Sequence, residues 1–248
     1  MYQKPTGMRY QQFLSELHAS HLFDWYLEIG CRTGETFAPC RSKTIAVDPF
    51  FRAEQNIIAA KPELHVFQQT SDDFFAGGFL ARNGIRLSFS FIDGMHLVEY
   101  ALRDLINVEA NSAPDGVIAL HDCCPFSRKM TTRDLNNLPG GPWTGDVWKL
   151  IPILRRYRPD LTVTVMNCRP SGLVLLSGLD PSSRVLAENQ NDILQEFQEL
   201  NIEDYGVERF NESFTYTEAG GEARNGFPLF AGCRTDEGAA LTPAFVTP

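Results

Sequence analysis

Short apolar runs recur through the first 178 residues, and between them the apolar positions come every three or four. WYLEI (25–29), TIAVDPF (44–50), LHVFQQTS (64–71), IRLSFSFIDG (85–94) and VIALHD (117–122) are rich in β-branched and aromatic residues and end at Gly, Pro, Asp or Ser. Each reads as a buried strand. The intervening segments carry helical spacing: MRYQQFLSELHA (8–19), NIIAAKPE (56–63), the short DDFFAGGFLARNG (72–84), and the stretch after Leu97 with Val98, Ala101, Leu102, Leu105 and Val108 apolar. Pro114-Asp115-Gly116 predicts a turn into the fifth strand. After a polar stretch at 125–145, DVWKLIPILRRYR (146–158) predicts a helix, and LTVTVMN (161–167) and SGLVLLSG (171–178) predict two last strands.

Strands alternating with helices predict an α/β fold, a mostly parallel sheet of seven strands with helices on both faces. The connection between the last two strands is too short for a crossover, so they form an antiparallel edge hairpin. Ligands of such sheets bind beyond the carboxyl ends of the strands. Glu28, Asp48, Asp72, Asp93 and Asp122 stand at or just past those ends in five successive strands. Residues 1–178 therefore read as the ligand-binding domain, and residues 179–248 as an acidic C-terminal helical extension and tail. The extension opens with a helix over 183–200 whose apolar face suits packing on the body or on a second copy, as in a homodimer; past Phe214 no structure is predicted.

Composition narrows the partners. The 248 residues are 43% hydrophobic, enough for a large core. No apolar run reaches the roughly 18 residues of a membrane helix, and MYQKPTGMRYQQ lacks the order of a signal peptide, which predicts a soluble, cytoplasmic protein with no membrane partner. The six cysteines form no CxxC pair and are expected to be reduced. The net charge of −9 lies wholly after residue 177, where 13 acids face 4 bases. A neutral body leaves no footprint for nucleic acid, so the substrate is expected to be a small molecule.

Chemistry gathers at the strand ends. Gly30 and Gly34 in YLEIGCRTGETF mark a turn into a helix where backbone approaches a ligand closely. The nicotinamide fingerprint fails, because Arg32 and Glu35 stand where it needs glycine. Asp48, taken with the glycine turn, suits the two hydroxyls of a ribose better than a helix cap, and Ser71 with Asp72 suits an adenine edge or, equally, the cap of the next helix. His96, three residues past Asp93, is the candidate base for a hydroxyl acceptor. Asp93 and Asp122 end adjacent strands and suit magnesium or manganese, with His121 as third ligand, although strand alternation predicts that His121 points away from Asp122. The 125–145 loop is long enough for a lid, with Arg128, Lys129 or Arg133 reaching an anionic or sugar group. Cys123 and Cys124 read as small core residues.

The ordered set of an acid before GxxxG, then VDPF, FIDGMH and GVIALHD, resembles class I S-adenosylmethionine-dependent methyltransferases. The likeness spans about residues 22–178 and is nearest to the branch acting on sugars and natural products, which also carries a helix like GDVWKLIPILRRYRP. The resemblance implies a Rossmann-like sheet, with Glu28, Gly30, Cys31 and Gly34 at the amino-acid end of S-adenosylmethionine. It further implies Asp48 at the ribose, Ser71 and Asp72 at the adenine, and Asp93 between cofactor and acceptor. Arg32 replaces a glycine common in the family, and Met95 replaces an acid, which shifts the basic role to His96. The expected activity is O-methylation of a small-molecule hydroxyl, catalysed by His96, Asp93 and Asp122 and assisted by a divalent ion at Asp93, His121 and Asp122. The alternatives are a metal-independent methyltransferase using another acceptor and a non-catalytic S-adenosylmethionine-binding protein.

Overall fold

The structure, a computed structural model, describes residues 1–53 and 55–236. Strands β1 (Trp25–Ile29), β2 (Lys43–Val47), β3 (Leu64–Phe67), β4 (Leu87–Ile92), β5 (Ser112–His121), β6 (Thr162–Met166), β7 (Leu173–Ser177) and β8 (Tyr216–Thr217) form one sheet in the order β3-β2-β1-β4-β5-β7-β6-β8. The first five pair in parallel, and β7 runs antiparallel to both β5 and β6. The order reverses at β1, where the chain passes from β2 and β3 on one side to β4 and β5 on the other, so that a crevice opens at the carboxyl ends of β1 and β4.

Sequence and structure differ at five places. The turn predicted at 114–116 lies inside β5 as a register shift against β4, with Pro114 and Asp115 exposed. The helices predicted after Gly30 and over 56–63 are runs of turns: Arg32 (φ 39°) and Ala59 (φ 43°) adopt left-handed backbone, and Pro39 and Pro62 interrupt any continuation. The 183–200 helix breaks at Asn189 into Val185–Glu188 and Gln190–Phe197. The hairpin is not the outermost element, because β8, from the segment predicted to lack structure, pairs in parallel with β6 as an eighth strand.

Each face of the sheet carries an apolar layer. One packs α4, the helix over Val98–Asn111, and the helix over Leu150–Tyr157, together with Leu186, Ile193, Phe197, Ile202 and Phe210 of the C-terminal segment. Leu186, Ile193 and Phe197 of the 183–200 region are thereby buried on the body, while Val185 stays exposed. The other face holds α1 (Tyr10–Ser20) and an aromatic cluster of Phe13, Phe23, Phe89, Phe227 and Phe230. Burying a ring of this size stabilises by about 1.5–3 kcal/mol relative to exposure. Within this layer His18 is fully buried against Phe23, Tyr26 and Phe89, with neither ring nitrogen bonded among the described residues. All six cysteines are buried and free. No helix of the described residues is long and apolar enough to cross a membrane.

Candidate active site

A cavity of about 1260 Å³ lies over the carboxyl ends of β1, β2, β4 and β5. It exceeds the usual size of a single small-ligand pocket, about 300–1,000 Å³, and so has room for two small molecules side by side. Its floor depends on Gly30 (φ 87°), where a Cβ would stand 1.9 Å from the Asp93 carbonyl oxygen. Only glycine lets the β1 and β4 turns touch. Cys31, Arg32 and Thr33 continue the lining, whereas Gly34 faces Ile57 and Phe37 outside it.

Glu28 does not reach the cavity. It is fully buried, with one carboxylate oxygen accepting from the Tyr26 hydroxyl at 2.6 Å and the other from the Thr36 hydroxyl. Burial pushes its carboxyl up to about 8, against those two hydrogen bonds. Its part in the structure is to brace the turn from behind. Asp48 faces the cavity and accepts from the backbone N–H groups of Arg32 at 2.7 Å and Phe50 at 2.6 Å, tying the β1 and β2 turns together.

Beside β3, Ser71 and Asp72 also line the cavity. Both carboxylate oxygens of Asp72 accept from Arg103, at 3.0 and 2.7 Å, so its charge is already paired. Between them lies Asp104 of α4, nearly inaccessible, with its carboxyl pushed up to about 7 by burial against the hydrogen bond from Ser71. Sequence reasoning passed over Asp104. The signal was present, because a carboxylate three residues after Ala101 and one before Leu105 sits on the apolar face of its helix.

Asp93, His96, His121 and Asp122 meet at the other end. His96 Nε2 stands 3.3 Å from Asp93 Oδ1, and its Nδ1 is 3.3 Å from Asp122 Oδ2 and 2.8 Å from the Trp143 carbonyl. His121 Nδ1 lies 3.1 Å from Asp93 Oδ1, and the Ser171 hydroxyl donates to Asp122. His121 and Asp122 thus face the same cluster instead of opposite sides, because Asp122 leaves the strand with φ 60°. Burial pulls the His96 imidazole down, but the hydrogen bond to Asp93 and the charges of Asp122 and Asp93 outweigh it and raise it to about 9. For Asp93 burial acts upward, yet His121 and His96 hold its carboxyl well below the ordinary range.

One ligand atom each from Asp93, His96 and Asp122 falls within 4.8 Å of the others, a spacing that suits one metal ion. Two carboxylates and an imidazole make a mixed oxygen and nitrogen set, which manganese, iron or zinc accepts more readily than magnesium. His121 stands outside this trio and instead contacts Asp93.

The walls come from segments with little sequence signal. Tyr10 stacks on His121 with centroids 3.8 Å apart, and Trp143 packs on His96 at 4.9 Å. Gly145 (φ 49°) lets the end of the long loop lie directly on the His96 backbone, and Asp146 N–H donates to the His96 carbonyl at 3.0 Å. The loop cations do not enter: Arg128 pairs with Glu203, and Arg133 with Glu99 and Asp146. Lys129 lines a separate groove with them. The cations that do line this end of the cavity are Lys4, Arg9 and Arg169.

Residues 27–123 match the family model described as a methyltransferase domain. No curated protein matches the chain. Among solved structures, cofactor-bound Rv0187 from MTB is similar at 13% identity and TM-score 0.50, covering 68% of this chain and 78% of that one. The O-methyltransferase TomG from Streptomyces achromogenes, solved with SAM, shares 17% identity at TM-score 0.47, covering 68% and 78%. The methyltransferase MycE, solved with Mg and SAH, shares 11% identity at TM-score 0.46, covering 70% and 49%. The matched segment runs from β1 to the end of β5, the part of the sheet that reverses at β1 and carries the cavity.

Proposed function

We propose that this protein transfers the methyl group of S-adenosylmethionine to a hydroxyl of a small molecule, a sugar or natural product, at the Asp93, His96, Asp122 end of the cavity. The cofactor would take the opposite end, with Asp48 offered to the ribose, Ser71 and Asp104 to the adenine, and the Gly30 to Thr33 turn to the amino-acid part; that all of them line the cavity supports this reading. Methyl transfer is an in-line displacement, so positioning of the acceptor oxygen dominates the barrier. The observation that carries the proposal is the meeting of Asp93, His96 and Asp122 beside that turn. Their donor set fits a divalent ion, which would act as a Lewis acid on the acceptor hydroxyl. His121 orients Asp93, Ser171 orients Asp122, and the Tyr10 and Trp143 rings limit water around the cluster.

A second reading rests on His96 itself. Without an ion, its imidazole carries the positive charge between the two carboxylates, and it accepts the hydroxyl proton only after losing its own. Turnover of chelator-treated protein on a panel of hydroxylated acceptors separates the readings. If manganese restores activity, the ion-assisted reading stands. Undiminished turnover after chelation, rising toward pH 9, favours His96 as base, and S-adenosylmethionine binding without turnover on any acceptor defeats both.

A further inference from the structure

We propose that the methyl acceptor is a hydroxylated oxyanion whose carboxylate or phosphate is held by Lys4, Arg9 and Arg169; this rests on the methyltransferase reading of the same cavity. The chain carries a net charge of −9, yet these three cations all line the cavity. None of them forms an ion pair among the described residues. Lys4 Nζ lies over the Phe126 ring at 4.7 Å, Arg169 Nε donates to the Gly7 carbonyl at 2.7 Å, and Arg9 is exposed. Elsewhere Arg103, Arg128, Arg133, Arg156 and Arg158 are each matched with a carboxylate.

Backbone pairing fixes where these cations sit. The Tyr10 N–H donates to the Arg169 carbonyl at 3.1 Å, and the Arg169 N–H to the Met8 carbonyl at 2.9 Å, which sets Arg9 and Arg169 side by side. Tyr10 then stacks on His121, and Ser171 bonds Asp122. The cations therefore border the reacting end. Asp48 follows β2, three strand positions from β5, a separation of about 14 Å at ~4.8 Å per strand. They flank the acceptor, not the nucleoside.

The electrostatics require such a device if the acceptor is charged. Asp93 and Asp122 lie at the reacting end, and three cations without an ion-pair partner among the described residues add positive potential to the same cavity. The arginine guanidinium also matches the paired oxygens of a carboxylate or phosphate. A neutral sugar could accept hydrogen bonds from them but would lack the charge-assisted pairing.

The test uses the full chain and two matched probe pairs: glucose 6-phosphate with glucose, and 3,4-dihydroxybenzoate with its amide. S-adenosylhomocysteine affinity is measured first by calorimetry, and the probes are then titrated into loaded and unloaded protein. The expected result is at least about tenfold tighter binding of the charged member in one series, falling to about twofold or less in the Lys4→Gln/Arg9→Gln variant. The series that responds identifies the anion as phosphate or carboxylate. Equal binding or no binding in both series, or a preference that survives in the variant, overturns the proposal. Failure to bind S-adenosylhomocysteine would defeat the methyltransferase reading alone, because anion preference is still read on unloaded protein. Both substituted side chains are exposed, so the fold is not at risk.

Discussion

His121 and Asp122 are neighbours at the end of β5, yet both side chains enter the same cluster, with His121 Nδ1 3.5 Å from Asp122 Oδ1. Regular strand alternation forbids this. The left-handed backbone at Asp122 (φ 60°) rotates its carboxylate back to the side its neighbour occupies. Such a conformation in a residue other than glycine costs about 1–3 kcal/mol and persists only when the surroundings hold it. Here the Ser171 hydroxyl and the backbone bond from Cys124 N–H to the Ser171 carbonyl at 2.8 Å do so.

Asp122→Asn keeps the shape of that side chain and removes its charge. Turnover should fall by about a hundredfold, and manganese binding measured by calorimetry should weaken, while S-adenosylhomocysteine affinity stays near the parent value. Parent-like turnover and manganese affinity would take Asp122 out of the reacting group.

Asp48→Ala removes both the ribose partner and the acceptor for two backbone N–H groups. S-adenosylhomocysteine should bind at least tenfold more weakly, about 1.4 kcal/mol. Unchanged affinity in the same titration would remove the ribose assignment.

Glu28→Gln tests whether the acid after β1 serves the cofactor or the turn. Its carboxyl is raised from the ordinary value to about 8, so the stability it contributes is full below about pH 4.5 and is lost as the pH rises through about 8. The glutamine variant should lack that alkaline loss in urea melts at pH 5 and pH 8. Cofactor affinity should stay within about twofold, 0.4 kcal/mol. A tenfold loss would return Glu28 to the binding set.

His18→Leu addresses a buried imidazole with no partner among the described residues. Burial pulls it down from the ordinary value to about 3. Its folded form resists protonation, so the stability it contributes is present above about pH 6.5 and is lost as the pH falls toward about 3, at a slope of up to ~1.4 kcal/mol per pH unit. The leucine variant should keep more of its stability in acid. Parallel denaturation curves for the two proteins between pH 6.5 and pH 4.5 would contradict this.

The parallel strands and their terminal acids were legible because buried strands write themselves as continuous apolar runs, and Gly30, Asp48, Asp93 and Asp122 punctuate them. The turns at 31–39 and 55–62 were not, since their short apolar stretches fit a helix as well as a loop packed by side chains. The sequence pointed to His121 beside Asp93 and Asp122; that His96 joins them depends on a loop that presses inward through Gly145, which no local pattern announces. Tyr10, Arg9 and Arg169 join the site through backbone pairing across some 160 positions of sequence, a relation that no local pattern encodes.

The aromatic layer completed by Phe227 and Phe230 bears on how the chain is made. As it emerges from the ribosome, the rings of Phe13, Phe23 and Phe89 must wait for their last partners until the segment around Phe230, more than 140 residues after Phe89, is out. During that interval an oily surface faces the cell, so the growing protein is a natural client for chaperones, and a synthesis stalled short of residue 227 would yield a sticky product.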